Sequence, residues 1–150
     1  MTEPSIEPNV TNKAVEEAAV RFVFDYERRA GRDPRDSRAI PGAPGDLISG
    51  DRLIEIKAAG TSSRGFELWL EPVQYQAALD DPAFHLYLVE NVRQGDPALF
   101  RLLDLHGEQL RGLVERAKHR SYYTVPFGSS AHDVAPWVIG LPPASTPPQS

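Results

Sequence analysis

Between residues 12 and 30, Val15, Ala19, Phe22, Val23 and Tyr26 recur at the three- and four-residue spacing that lines one face of a helix. Asn12 stands where an N-cap is wanted and Gly31 where the helix should stop, so a helix is expected over 12–30. Residues 31–46 are crowded with Pro, Gly, Asp and Arg and suit a surface loop. The period then changes from helical to alternating. Residues 46–48 and 52–58 read as two strands joined by a tight turn at Ser49-Gly50-Asp51. On the second of these, Leu53, Glu55 and Lys57 share one face, and Ile54, Ile56 and Ala58 share the other. After a loop at 60–65, residues 66–70 are expected to form a third strand. Residues 72–79 should be a short helix with Pro72 in its first turn. Residues 84–92 and 98–105 suit a hairpin around Gly95-Asp96-Pro97, and 107–120 a last helix. The expected order is helix, three strands, helix, two strands, helix, which makes an α/β fold without internal repeats.

Length and composition narrow the class. The chain has 150 residues, 41% of them hydrophobic and 25% charged, the profile of one ordinary globular domain able to bury a core without staples. The expected organisation is a flexible N-terminus at 1–12, a domain at 13–141 and a disordered tail at 142–150, where Pro, Ser and Thr offer too little apolar surface to offset the entropy of ordering. There is no cysteine, which excludes disulfides and thiolate zinc sites and leaves oxygen and imidazole as metal donors. No basic start followed by an apolar run is present, and no stretch of about 18 apolar residues, so a cytoplasmic protein without a membrane span is expected. The net charge of −5 argues against a surface coated with nucleic acid but leaves room for a local site.

The candidate chemistry lies in the hairpin. Alternation puts the Glu55 carboxylate and the Lys57 ammonium side by side, and the turn brings Asp46 towards Glu55. Two carboxylates plus a strand carbonyl, that of Ile56, suit a hard cation such as Mg²⁺ or Mn²⁺. Such an ion would bind phosphate and lower the pKa of a water, while Lys57 orients that water.

These residues resemble the PD-(D/E)xK nuclease superfamily, and more narrowly the restriction-endonuclease-like domain of the NO VEIN C-terminal type. The likeness covers about residues 13–106. It is carried by Glu17-Ala18-Ala19-Val20 through Tyr26-Glu27-Arg28, Gly31-Arg32-Asp33-Pro34, Asp46-Leu47-Ile48-Ser49-Gly50, Arg52-Leu53-Ile54-Glu55-Ile56-Lys57-Ala58, and His85-Leu86-Tyr87-Leu88-Val89-Glu90-Asn91-Val92. The resemblance implies a central mixed sheet flanked by helices, with Asp46, Glu55 and Lys57 as the catalytic set. The chain departs from the family in two places. Pro44-Gly45 replaces a glycine and an aromatic before the aspartate, which is expected to loosen the strand entry. Gln74 stands where a glutamate is expected in the helix after the third strand, and a neutral amide can hydrogen-bond water or phosphate but brings no charge to a metal. The superfamily often adds an acidic residue from the first helix. Here Glu16, on the flank of the apolar stripe, is preferred, although alignment of the motifs leans to Glu17.

Two basic clusters are candidate phosphate contacts: Arg28, Arg29, Arg32, Arg35 and Arg38, and Arg111, Arg116, Lys118, His119 and Arg120. His85, His106, His119 and His132 show no metal-ligand spacing along the chain. Trp69, in the expected third strand, reads as a packing residue. The expectation is therefore a Mg²⁺- or Mn²⁺-dependent nuclease acting on DNA, as a homodimer or beside a larger ATPase- or helicase-type partner. The alternative is an inactive nuclease-fold subunit that binds nucleic acid or a defence or repair protein.

Overall fold

A computed structural model of the chain describes residues 8–141, with side chains from residue 12. The expected tail at 142–150 lies outside the described residues. Helix α1 runs Pro8–Arg29. It starts a turn before Asn12, which is therefore an interior residue and not the N-cap; proline is at home in a helix's first turn. Three strands follow: β1 Pro34–Asp36, β2 Leu47–Ser49 and β3 Arg52–Ala58. Then come α2 Pro72–Asp80, β4 Phe84–Glu90, β5 Arg101–His106 and α3 Gly107–Val114, with two 3₁₀ turns between β4 and β5.

The five strands form one sheet in the order β1-β2-β3-β4-β5. Pairing is antiparallel except between β3 and β4, which are parallel and joined through α2. The fold is thus α/β, a mixed sheet flanked by helices. Strand β4 is buried along its whole length and feeds two cores. On one face Tyr87 and Val89 meet Ile54, Ile56 and the α1 residues Ala19, Val20 and Val23. On the other, Phe84, Leu86 and Leu88 meet Ala78 of α2 and Leu110 and Val114 of α3. A continuous apolar run is what a central strand covered on both faces requires.

Two expectations are corrected. The third strand lies at 34–36, not at 66–70. Pro34 can sit in β1 because this strand is the sheet edge, where a missing N–H costs no ladder bond. Residues 66–70 are irregular, with Phe66, Leu68 and Trp69 exposed. The last helix ends at Val114 rather than at residue 120. Leu110 and Val114 are its buried anchors, and the segment Glu115-Arg116-Ala117-Lys118-His119-Arg120 offers no large apolar side chain to hold a further turn against the sheet.

One compact unit ends at Ala117 and a second begins at Lys118. The second holds a short helix, α4 Ser129–Val134, and Trp137, Val138 and Ile139 are not buried within it. No helix among the described residues is long and apolar enough to cross a membrane.

Candidate active site

Strand β2 pairs with β3 only over Arg52–Ile54, so Glu55–Ala58 run on beside an unpaired edge. The chain entering β2 closes part of that edge. The Asp46 amide donates to the Ile54 carbonyl at 2.8 Å, and the Ile56 amide donates to Asp46 Oδ2 at 2.9 Å. Even-numbered residues of β3 therefore address this edge, and an extended residue turns its N–H and C=O the same way. The Ile56 carbonyl consequently faces the same edge as the Asp46 carboxylate, as the candidate ligand set requires.

The approach of this segment depends on Gly45. A Cβ there would lie 2.5 Å from the Ile54 carbonyl oxygen, closer than atoms can stand. The Gly45 carbonyl accepts from Ser37 Oγ at 2.8 Å, and the Asp46 carbonyl accepts from the Ser37 amide at 2.9 Å. Pro44-Gly45 does not loosen the strand entry; glycine lets the backbones touch, and buried Ser37 pins them.

Glu55 is 5% exposed, and its Oε2 accepts from Lys57 Nζ at 3.1 Å. Its other oxygen, Oε1, is buried without a hydrogen-bond partner. Burial pushes the Glu55 carboxyl up and the neighbouring Asp46 carboxylate pushes it further; Lys57 opposes both, and the carboxyl ends at about 7. A buried carboxylate oxygen without a donor, beside a second carboxylate, is an unfavourable arrangement unless a proton or a cation stands between them.

These groups open into a cleft of about 420 Å³ lined by Glu16, Arg38, Asp46, Glu55, Lys57 and the segment 66–69, among others. Of the residues expected from sequence, Asp46, Glu55, Ile56, Lys57 and Glu16 are brought together here. Glu17 is not a member of the lining; it accepts from Arg38 at 2.9 Å. Gln74 is not a member either. Its side chain accepts from the Glu71 amide at 2.9 Å and closes the capping box at the start of α2. The expected role for Gln74 in the site is thus replaced by a structural one.

The first basic cluster is largely spent on internal pairs. Arg32 is bidentate on Glu27, Arg38 bridges Asp36 and Glu17, and Arg29 and Arg35 pair with Asp25 and Asp33. The second cluster does not share one helix, since α3 stops before most of it.

Two features escaped the sequence. Phe66, Leu68 and Trp69 line the cleft instead of packing in a strand, and Trp69 is 72% exposed. His85, Asp104 and His106 converge on one spot of the sheet. The signal for the latter was Asp-x-His within a strand, combined with a hairpin register that sets His85 opposite His106. No family model, curated protein or solved structure matches the chain.

Proposed function

We propose that the protein is a divalent-metal-dependent nuclease that hydrolyses phosphodiester bonds of DNA at the Asp46–Glu55–Lys57 site. The observation that carries this reading is Glu55 Oε1, a buried carboxylate oxygen with no donor, beside the Asp46 carboxylate at an open strand edge. Asp46, Glu55 and the Ile56 carbonyl fit a Mg²⁺ or Mn²⁺ ion, because all three offer the hard oxygen that such cations take. When bound, the ion would supply charge neutralisation at the scissile phosphate and acidify a water.

The chain's own groups do the rest. Glu55, deprotonated, holds the Lys57 ammonium at 3.1 Å and so fixes it at the cleft wall. Lys57 can then orient a water by hydrogen bonding and offset negative charge developing on phosphate. The cleft has four carboxylates, Glu16, Asp46, Glu55 and Glu67, against two cations, Arg38 and Lys57. A polyanion is repelled by that excess until a divalent cation reverses it, so DNA binding and metal binding should be coupled. Exposed Phe66 offers a face on which a base can stack beside the site.

Incubating plasmid, linear and single-stranded DNA with the protein plus Mg²⁺, Mn²⁺ or EDTA tests the reading. Cleavage that needs the metal and disappears in Lys57→Ala is expected. DNA binding without cleavage under every metal condition would sink the nuclease and leave an inactive nuclease-fold binder.

A further inference from the structure

The cluster of His85, Asp104 and His106 lies on the α1 face of the sheet, where β4 and β5 pair. Cross-strand register sets His85 opposite His106, and Asp104 lies two residues before His106 on the same face. Asp104 Oδ1 accepts from Nδ1 of His85 at 2.8 Å and from Nδ1 of His106 at 3.1 Å. The two imidazoles stack with centroids 4.6 Å apart. One donor atom from each of the three side chains falls within 4.8 Å of the others.

We propose that His85, Asp104 and His106 form a binding site for a borderline divalent cation of the zinc class, separate from the carboxylate site and different in metal preference. A tetrahedral ion bound at about 2.0–2.1 Å spaces its ligands about 3.3 Å apart. The contacts of 2.8 and 3.1 Å around Asp104 Oδ1 need to open by only a few tenths of an ångström to admit one. To bind an ion, each imidazole would present its Nδ1 lone pair and carry a proton on Nε2 instead.

The far side of Asp104 is already braced. Its Oδ2 accepts from Arg52 Nη1 at 3.2 Å. Arg52 also donates to the Tyr87 hydroxyl at 2.7 Å, and that hydroxyl donates to Glu27 at 3.1 Å, which Arg32 grips with two hydrogen bonds. Such outer partners fix a ligand carboxylate's orientation. Arg52 occupies one oxygen and leaves the ion a single carboxylate oxygen with two imidazoles. That donor set suits Zn²⁺ or Co²⁺ and disfavours Mg²⁺, which wants oxygen throughout. His85 is buried while the His106 side chain is 53% exposed, so the fourth position opens to solvent on the His106 side. Three protein ligands and one open position is the arrangement that leaves room for water or a further ligand.

The test is titration of untagged, chelator-stripped protein with Co²⁺, read by its visible absorption, and with Zn²⁺, read by calorimetry. The same titrations are run on Asp46→Asn/Glu55→Gln, which removes the carboxylate site, and on His106→Gln, which removes the most exposed ligand. One equivalent of Zn²⁺ or Co²⁺ should bind wild type and the double variant alike, and His106→Gln should weaken that binding at least tenfold. In wild type, ¹⁵N resonances of the His85 and His106 rings should shift with Zn²⁺ and not with Mg²⁺. These ring signals decide the matter even if His106→Gln folds poorly. Zn²⁺ binding that is unchanged by His106→Gln, or histidine signals indifferent to Zn²⁺, would overturn the site.

Discussion

Glu27 and Glu55 are both buried glutamates held by a nearby cation, and the fold treats them oppositely. Glu27 is fully buried, yet both its oxygens are used: Arg32 takes one each with Nε and Nη2, and the Tyr87 hydroxyl adds a third bond. Burial alone would raise its carboxyl, but the hydrogen bonds and charge of Arg32, with Ser49 and Tyr87, hold it below the ordinary value. Glu55 has one partner, one orphaned oxygen and a second carboxylate as neighbour, and its carboxyl rises to about 7. The first arrangement joins α1 to the sheet. The second stores electrostatic strain that a cation would relieve. Buried charge thus distinguishes the scaffold from the proposed site by whether the surroundings complete its hydrogen bonding.

The comparison breaks most visibly in activity. Asp46→Asn, Glu55→Gln and Lys57→Ala should each lower metal-dependent cleavage by about a thousandfold, the scale on which a single group aimed at developing charge matters. The variants should differ in calorimetry with Mn²⁺. Asp46→Asn and Glu55→Gln lose affinity because each removes a hard anionic ligand, whereas Lys57→Ala keeps it. Equal Mn²⁺ affinity in wild type and Asp46→Asn would place the metal elsewhere.

In stability the order reverses. Glu27→Gln strands Arg32 against a buried neutral amide and should cost about 3–5 kcal/mol, measured by urea unfolding. Loss of less than about 1 kcal/mol would show that the pair is not a structural anchor.

Glu55→Gln should stabilise the metal-free protein, and the gain should depend on pH. A carboxyl at about 7 in the folded chain against 4.5 unfolded makes the folded state hold the extra proton between those values. Stability therefore falls as pH rises from 4.5 to 7, by about 3 kcal/mol at 1.36 kcal/mol per unit, and stays reduced above that window. Glu27 and Glu90, both held below the ordinary value, run the other way: their contributions are present near neutral pH and are lost in acid. The Glu55 contribution is isolated as the difference in melting between wild type and Glu55→Gln, small near pH 4.5 and largest above 7. Mn²⁺ should raise the wild-type melting temperature more at pH 8 than at pH 6, since it competes with that proton. A difference independent of pH would mean that Glu55 stays ionised throughout.

Gly45→Ala should have the smallest effect on stability, about 1–3 kcal/mol, because the new methyl must push the β2 entry off the Ile54 carbonyl. Its influence on cleavage should be larger than that cost suggests, about tenfold to a hundredfold, since Asp46 moves with the backbone. Wild-type cleavage in Gly45→Ala would show that Asp46 tolerates displacement.

Much of this was legible in the sequence because it is local. Alternation in Arg52–Ala58, helical spacing in α1 and the Gly-Asp-Pro break before β5 mark their elements through side-chain period and turn chemistry, which need only near neighbours. The same alternation placed Glu55 beside Lys57, and the short turn brought Asp46 near. Preference for Glu16 over Glu17 also followed from helix periodicity, and Glu16 is the one in the cleft lining.

The tertiary structure decided what depends on distant partners. Residues 66–70 have the apolar content of a strand, but the sheet takes 34–36 at its edge instead, because β2 is there to pair with it. Gln74 looked like a site residue until α2 claimed it as a cap. His85 and Asp104 are 19 residues apart, and only the β4–β5 register brings their side chains to 2.8 Å. Whether a buried glutamate is satisfied is of the same kind: Glu27 and Glu55 differ not in residue type or burial but in which donors the fold carries to them, and no local pattern encodes that.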